Sequence, residues 1–494
     1  MIAHVFPPAQ PLRGTIDPPS SKNYTTRYVL VSCLADGRSV VHRPAVQDDA
    51  VALVRCCRGM GATIEAKTAT GETIDYTVEN AARINRLEIH GFGSRPRLVN
   101  PAQPLNPGNA GAVFRMLLAV SALLPQVTWV TDHHDSLGKR PNIDLIEALK
   151  QLGVEVEYRG GEGLLPITLK GGRDRIKAHI ATRRREQGLD ADDPFTITVH
   201  GGVSSQFTSA LLFLAPLLDE NLRIQVTGNL KSLPLIETTR FVLQNAGVSV
   251  DSSNDRDEHS INRGQVFRAV DWQTNGDWPG SSAILGAVAA VPGSAVTVSR
   301  LYQDEQGEKE CVPFYRRMGC TITELEGAGT AGPSLRIESP AALKGASVNG
   351  DLCTDAVLAM MGAAMVAEGE SRFVQIRNLQ FKECDRVREP IDELRKVRET
   401  LLSAGDEKPR PVEKALYYEP TDDPDTIHVW GAPQGFRGGI DVDGRGDHRV
   451  IMLLSIVALR CQLGLRIHGA EHVSKSFPGW FDTLRSMGVR VEES

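Results

Sequence analysis

The chain has 494 residues and a formal net charge of −6, with 41% of residues apolar and 23% charged. That length and apolar content predict two large lobes, each able to bury its own core. The mild acidity, without a domain-wide basic excess, argues against nucleic-acid binding. No apolar run approaches the roughly 20 uncharged residues of a membrane span. The start, MIAHVFPPAQPLRG, has neither a signal-peptide nor a transit-peptide pattern. Eight scattered cysteines, without a CxxC pair or zinc spacing, read as reduced thiols of a cytoplasmic protein.

Along the chain two phrases alternate. The first opens at 20–27, where SSKNYTTR runs straight into an apolar stretch with two cations and no acid. Helix starts normally attract acids, because their unpaired N–H groups carry partial positive charge; here the anion is expected to come from a ligand. The same pattern, a polar or glycine-containing turn and then an apolar helix, returns at 108–124, 203–218, 276–291, 350–369 and 446–461. These helices are apolar nearly all round, which places them at the centre of a lobe. The second phrase is MGATIE (60–65), LGVEVE (152–157), AGVSVD (246–251), MGCTIT (318–323) and MGVRVE (487–492), with a degraded copy at 403–405. Each glycine reads as a helix stop leading into a strand.

Six units of roughly 80 residues follow, each strand–helix–strand–helix–strand, divided as two lobes of three. The boundaries drawn are 1–20 with 277–494, and 21–276. Parallel buried helices would bring their starts together, so that Lys22, Arg27, Arg115, His448 and Arg449 line an anion-trapping cleft. The polar stretches 251–265 and 403–427 read as surface insertions, and FVQIRNLQF (373–381) as an alternating strand.

The phrases SSKNYTTR, GNAG (108–111), GKRP (138–141), VSSQF (203–207), FKECDR (381–386), GDHR (446–449) and SKSFP (474–478) together resemble the enolpyruvyl transferases. The match is nearest to the 5-enolpyruvylshikimate-3-phosphate synthase branch of the shikimate pathway to aromatic amino acids. The resemblance spans about residue 20 to 478. It implies an α/β fold, a two-lobed inside-out barrel whose lobes each hold three βαβαββ repeats around buried parallel helices. It also implies transfer of the enolpyruvyl (1-carboxyvinyl) group from phosphoenolpyruvate to the 5-hydroxyl of shikimate 3-phosphate, with release of phosphate. No metal and no organic cofactor are implied, and the expected protein is a monomer without a membrane or nucleic-acid partner.

Residue by residue, the resemblance gives catalytic roles to Lys22, Asp355, Glu383 and Lys475, with Asp355 and Glu383 as the acid–base pair. Phosphoenolpyruvate falls to Lys22, Gly111, Arg140, Gln206, Arg386, Arg449 and Lys475, whose arginine forks suit phosphate and carboxylate. Shikimate 3-phosphate falls to Lys22, Asn23, Arg27, Ser204, Ser205, Gln206, Ser232, Asp355, Asn378 and Lys382. Cys384 reads as a filler thiol, since no histidine partner is evident near it.

Three positions depart from the usual pattern: Asn23 stands where the synthase carries Ser, Leu235 replaces an aromatic residue, and Ala112 replaces a hydroxyl residue. All three lie on the acceptor side. Other acceptors, UDP-N-acetylglucosamine or a nucleotide such as uridine monophosphate, therefore stay open, as does a non-catalytic binding homologue. Asp135 occupies the place of the reactive cysteine of the UDP-N-acetylglucosamine enzymes. The basic residues are local rather than spread along a track, which disfavours an RNA-end-processing relative.

Overall fold

A computed structural model describes the chain except residues 94, 191, 328–331, 403–415 and 419–424, and gives only the backbone of 416–418. The chain divides into two units, Met1–Pro19 with Asn275–Ser494, and Ser20–Thr274. Each unit holds three sheets and its own apolar core.

Three apolar helices lie at the centre of each unit: Lys22–Leu34, Gly111–Ser121 and Ser205–Leu218 in the second, Trp278–Ala290, Val357–Ala364 and His448–Ala458 in the first. Nearly every residue in them is buried, as side chains apolar on all faces require. In the first unit the three pack against one another. None of the six has an acid in its first turn. The outer helices Asp48–Gly59, Ile143–Lys150, Arg173–Gln187, Glu389–Arg398 and Trp480–Ser486 all do. The helices Leu233–Asn245 and Cys311–Arg317 lack a first-turn acid as the central ones do. Orphan N–H groups at the central starts are capped by Ser21, Ser204, Asp277 and Asp447.

Several central helices join two parallel neighbouring strands. The Ser205–Leu218 helix links Phe195–His200 to Leu222–Thr227, and the His448–Ala458 helix links Ile440–Asp443 to Leu465–His468. Where the chain passes between units the leading strands are exchanged. Strand Arg13–Ile16, just ahead of the Lys22–Leu34 helix, pairs in parallel with Ala295–Val298, beyond the Trp278–Ala290 helix. Strand Asp271–Gln273, just ahead of Trp278–Ala290, pairs in parallel with Arg38–His42, beyond Lys22–Leu34. Each unit is therefore completed by a strand that sequence order assigns to the other.

The five glycines of the second phrase, Gly61, Gly153, Gly247, Gly319 and Gly488, have φ of 105°, 82°, 84°, 102° and 98°. Each follows an outer helix and turns the chain toward a strand, a backbone region that side chains with a Cβ rarely enter. The degraded copy at 403–405 lies outside the described residues, as does most of the 403–427 stretch.

Two sequence expectations are overturned. Residues 251–265 are not an added surface segment: Asp251–Ser252 and Glu258–Ile261 form a hairpin, and Glu258–Ile261 pairs with the strand Leu222–Thr227. Its inward residues are His259 and Ile261, so a polar residue on the buried face hid the alternation. The strand read at 373–381 ends at Val374. Gln375 has φ 55°, and Arg377–Phe381 is a 3₁₀ turn. Among the described residues no helix is long and apolar enough to cross a membrane.

Candidate active site

In the second unit, one arginine ties two of the three central helix starts together. Arg115, on the second turn of Gly111–Ser121, is 5% exposed. It donates from Nε to Asn142 Oδ1 at 2.9 Å, from Nη2 to the Pro141 carbonyl at 3.0 Å, and from Nη1 to Gln206 Oε1 at 2.9 Å and Ser204 Oγ at 3.3 Å. GNAG, GKRP and VSSQ are thereby fixed to one guanidinium. Burial and then the neighbouring Arg140 hold its pKa below the usual arginine range, as expected where cations are crowded without water.

Arg140 is buried, with Nη2 3.1 Å from Ser136 Oγ and 3.4 Å from Asn109 Oδ1. A Cβ on Gly111 would stand 2.9 Å from Arg140 Nη1, so the glycine leaves room for that fork. Ser205 is buried at the first position of its helix, behind the Ser204 cap. Ser232 is buried at φ 52°, immediately ahead of the Leu233–Asn245 helix.

Arg27 is 2% exposed. It donates to Thr239 Oγ1 at 2.8 Å and to the carbonyls of Asn23 and Leu235, each at 3.0 Å. Two of the departing positions, Asn23 and Leu235, thus meet Arg27 through their backbones, which any residue supplies. Lys22 pairs with Asp49 Oδ2 at 3.0 Å.

In the first unit the organising group is Arg386, 1% exposed. Nε and Nη2 grip Asp447 at 2.7 and 3.1 Å, Nη1 reaches Asp355 Oδ1 at 2.9 Å, and Nη2 reaches Glu383 Oε2 at 2.8 Å. The other Glu383 oxygen accepts a hydrogen bond from Lys475 Nζ. Lys382 Nζ lies 3.8 Å from Asp355; desolvation lowers its pKa, while the Asp355 carboxylate opposes the shift. Asn378 Nδ2 donates to Asp351 Oδ1 at 3.2 Å and Thr354 Oγ1 at 3.4 Å, next to Asp355 in the chain. Arg449 is 4% exposed, with Nε and Nη1 buried and without hydrogen-bond partners among the described residues.

The structure thus gathers Asp355, Lys382, Glu383, Arg386 and Lys475 into one chain of charges, with Arg449 held beside it through the Asp447 cap at 2.8 Å. Arg386, expected as a clamp, is already engaged by three protein carboxylates. Cys384 Sγ lies 3.6 Å from Asp447 Oδ2, and burial followed by the Asp447 charge raises its pKa, which suits a filler thiol. Sequence reasoning missed Asp447, Asp49, Asn142 and Glu308. Nothing in the sequence distinguishes Asp447 and Asp49 from helix-start acids in general, and Glu308 sits in the acid-rich run DEQGEKE; only its burial sets it apart.

Buried cations at helix starts, with paired carboxylates on a shared guanidinium, define an α/β enzyme for anionic substrates. Family comparison gives the class a name. The model of EPSP synthase (3-phosphoshikimate 1-carboxyvinyltransferase) matches residues 7–484. A 3-phosphoshikimate 1-carboxyvinyltransferase of Deinococcus radiodurans is 37% identical over 98% of this chain and 95% of its own length. One of Methanothrix thermoacetophila is 30% identical over 98% of both chains. EPSP synthase from Acinetobacter baumannii shares the fold, with a TM-score of 0.72 at 21% identity over the whole of both chains. This chain belongs to the EPSP synthase family, and it is a transferase.

Proposed function

We propose that this chain transfers the carboxyvinyl group of phosphoenolpyruvate to the 5-hydroxyl of shikimate 3-phosphate, releasing phosphate. The acceptor oxygen bonds to C2 of phosphoenolpyruvate as C3 gains a proton. C3 then loses a proton as the C2–O bond to phosphate breaks, which restores the vinyl group. One carboxylate must take the hydroxyl proton and another acid must supply C3.

The observation that carries this reading is the run Asp355–Arg386–Glu383–Lys475. It holds two carboxylates on one immobile guanidinium, so acid and base keep fixed places through both halves of the reaction. Asp355 is assigned to the acceptor hydroxyl and Glu383 to C3, with Lys475 beside Glu383 compensating charge as phosphate leaves. Arg449, with two buried nitrogens lacking partners, is assigned to the donor anion together with Arg140, Arg386 and Lys22. Gly111 is assigned to close backbone approach by the donor, and Gln206 to both ligands. Ser204, Ser205, Ser232 and Lys382 take the acceptor phosphate, Arg27 and Asn23 its carboxylate, and Asn378 a ring hydroxyl. Cytosolic residence is supported by the eight cysteines, all unbridged and seven of them buried.

Purified protein with phosphoenolpyruvate and shikimate 3-phosphate should release phosphate and form the enolpyruvyl ether, read by phosphorus NMR and mass spectrometry. Turnover only with UDP-N-acetylglucosamine or uridine monophosphate would overturn the acceptor, and no turnover with any acceptor would overturn the reaction.

A further inference from the structure

Glu308 stands among the starts of the three central helices of the first unit. It lies in the short turn Gly307–Glu310 and is 2% exposed. Oε1 accepts the backbone N–H of Asp355 at 3.4 Å. Oε2 is buried with no hydrogen-bond partner among the described residues. Arg449 is in electrostatic reach of this carboxyl, and its own Nε and Nη1 are likewise buried and unpartnered. An acid and a guanidinium in one dry cradle ordinarily close a salt bridge, because each bears the cost of desolvation alone otherwise. Among the described residues these two do not.

The groups facing Glu308 explain why it can stand apart. Asp355 and Cys353 approach from ahead of the Val357–Ala364 helix, Asp277 from the cap of Trp278–Ala290, Arg449 from His448–Ala458, Lys382 from the loop beyond the 3₁₀ turn, and Cys311 from its own following helix. Burial, and then the Asp355 charge, push the Glu308 pKa up to about 7, with Arg449 pulling the other way. A neutral acid needs no counter-ion.

We propose that Glu308 is a positioning residue of the donor site: as the neutral acid it leaves the Arg449 fork open to the incoming anion, and as the carboxylate it competes for that fork. The inference rests on the assignment of Arg449 to phosphoenolpyruvate. An ionised Glu308 also adds negative charge beside Asp355, which repels the same ligand. Donor affinity therefore falls as pH rises through the Glu308 titration. One proton is linked to binding, so the fall is at most tenfold for each pH unit above the midpoint.

The test is calorimetric titration of phosphoenolpyruvate into the wild-type protein and Glu308→Gln between pH 5.5 and 9. Ionisation of the ligand itself is common to both proteins and cancels in the ratio of their dissociation constants. Similar affinities at pH 6, with the wild type weaker by about tenfold or more at pH 9 and a step near neutrality, support the inference. A ratio that is constant across the range overturns it, because a merely structural Glu308 would shift both ends equally. Should Glu308→Gln not fold, Glu308→Asp keeps a titrating group, so the step must survive in it. Absence of the step from the wild type and from Glu308→Asp alike, once the ionisation of the free ligand is subtracted, then overturns the inference. Wild-type turnover on phosphoenolpyruvate and shikimate 3-phosphate, assayed separately at pH 7, decides the parent reading: lost turnover with the binding step intact removes the reaction and leaves Glu308 in place, whereas no phosphoenolpyruvate binding at any pH overturns both.

Discussion

Arg386 and Asp447 form a two-pronged pair, Nε to Oδ2 at 2.7 Å and Nη2 to Oδ1 at 3.1 Å, with side chains 1% and 0% exposed. The same Asp447 caps the His448–Ala458 helix by accepting the Arg449 N–H. One carboxylate therefore orients two arginines, one through its side chain and one through its backbone.

Asp447→Ala should leave Arg386 buried with its largest partner missing. Removing one member of a buried pair costs about 3–5 kcal/mol, which corresponds to a Tm lower by about 10 °C in units of this size. Differential scanning calorimetry checks the stability, and a variant melting like the wild type would refute Asp447 as the anchor. Phosphoenolpyruvate KM should rise with it.

Glu383→Gln keeps the shape of the side chain but cannot exchange a proton with C3. Turnover is expected to fall by about 10²–10⁴-fold, the range for a lost general acid–base group, with substrate dissociation constants changed only a few-fold. Asp355→Ala should behave alike. Unchanged kcat in either would remove that residue from the chemistry.

Arg449→Ala should act on the donor alone. Loss of charged hydrogen bonds of about 1.5–3 kcal/mol implies a phosphoenolpyruvate KM raised by about 10–100-fold, while the acceptor KM stays near wild type. Steady-state kinetics with each substrate varied in turn separates the two.

Gly111→Ala places a methyl group 2.9 Å from Arg140 Nη1. The guanidinium is the mobile end of a long side chain, so it should yield and the fold should persist. Phosphoenolpyruvate KM should rise several-fold with the melting temperature within about 2 °C of wild type.

His259 is fully buried, with Nδ1 2.7 Å from Ser252 Oγ. Burial, then the nearby Arg240 charge, lowers its pKa to about 4. The unfolded chain takes up this proton near the ordinary histidine value of about 6.5 while the folded chain does not, so stability falls as pH drops from about 6.5 toward 4. The loss approaches about 3 kcal/mol at the lower end. Thermal melts across that window should show the decline, and His259→Gln should flatten it; an equal slope in both proteins would refute the assignment.

Much of this architecture is written in short stretches of chain. Gly153 or Gly319 stops a helix because its backbone conformation suits the turn that follows, and the signal is complete within a few residues. The all-apolar composition of 448–461 or 350–369 likewise marks a central helix without reference to its neighbours. The Glu258–Ile261 strand escaped because His259 faces inward, where an alternating pattern calls for an apolar residue. Among candidate site residues, Glu383 and Arg386 were legible within FKECDR, and Asp355 and Lys475 by resemblance, but the acid that anchors Arg386 was not. Asp447 is 61 residues from Arg386 and looks, in isolation, like any helix-capping acid.

By itself, the amino-acid order determined where many helices start and stop, which ones are buried, and that some of their starts carry cations, since each of these depends on side chains within a turn or two. Which strand completes which sheet, which carboxylates hold Arg386, and why Glu308 and Arg449 stand unpaired were decided only when the chain packed. Those outcomes depend on distances between segments far apart in sequence and on the exclusion of water around them, and no local pattern encodes either.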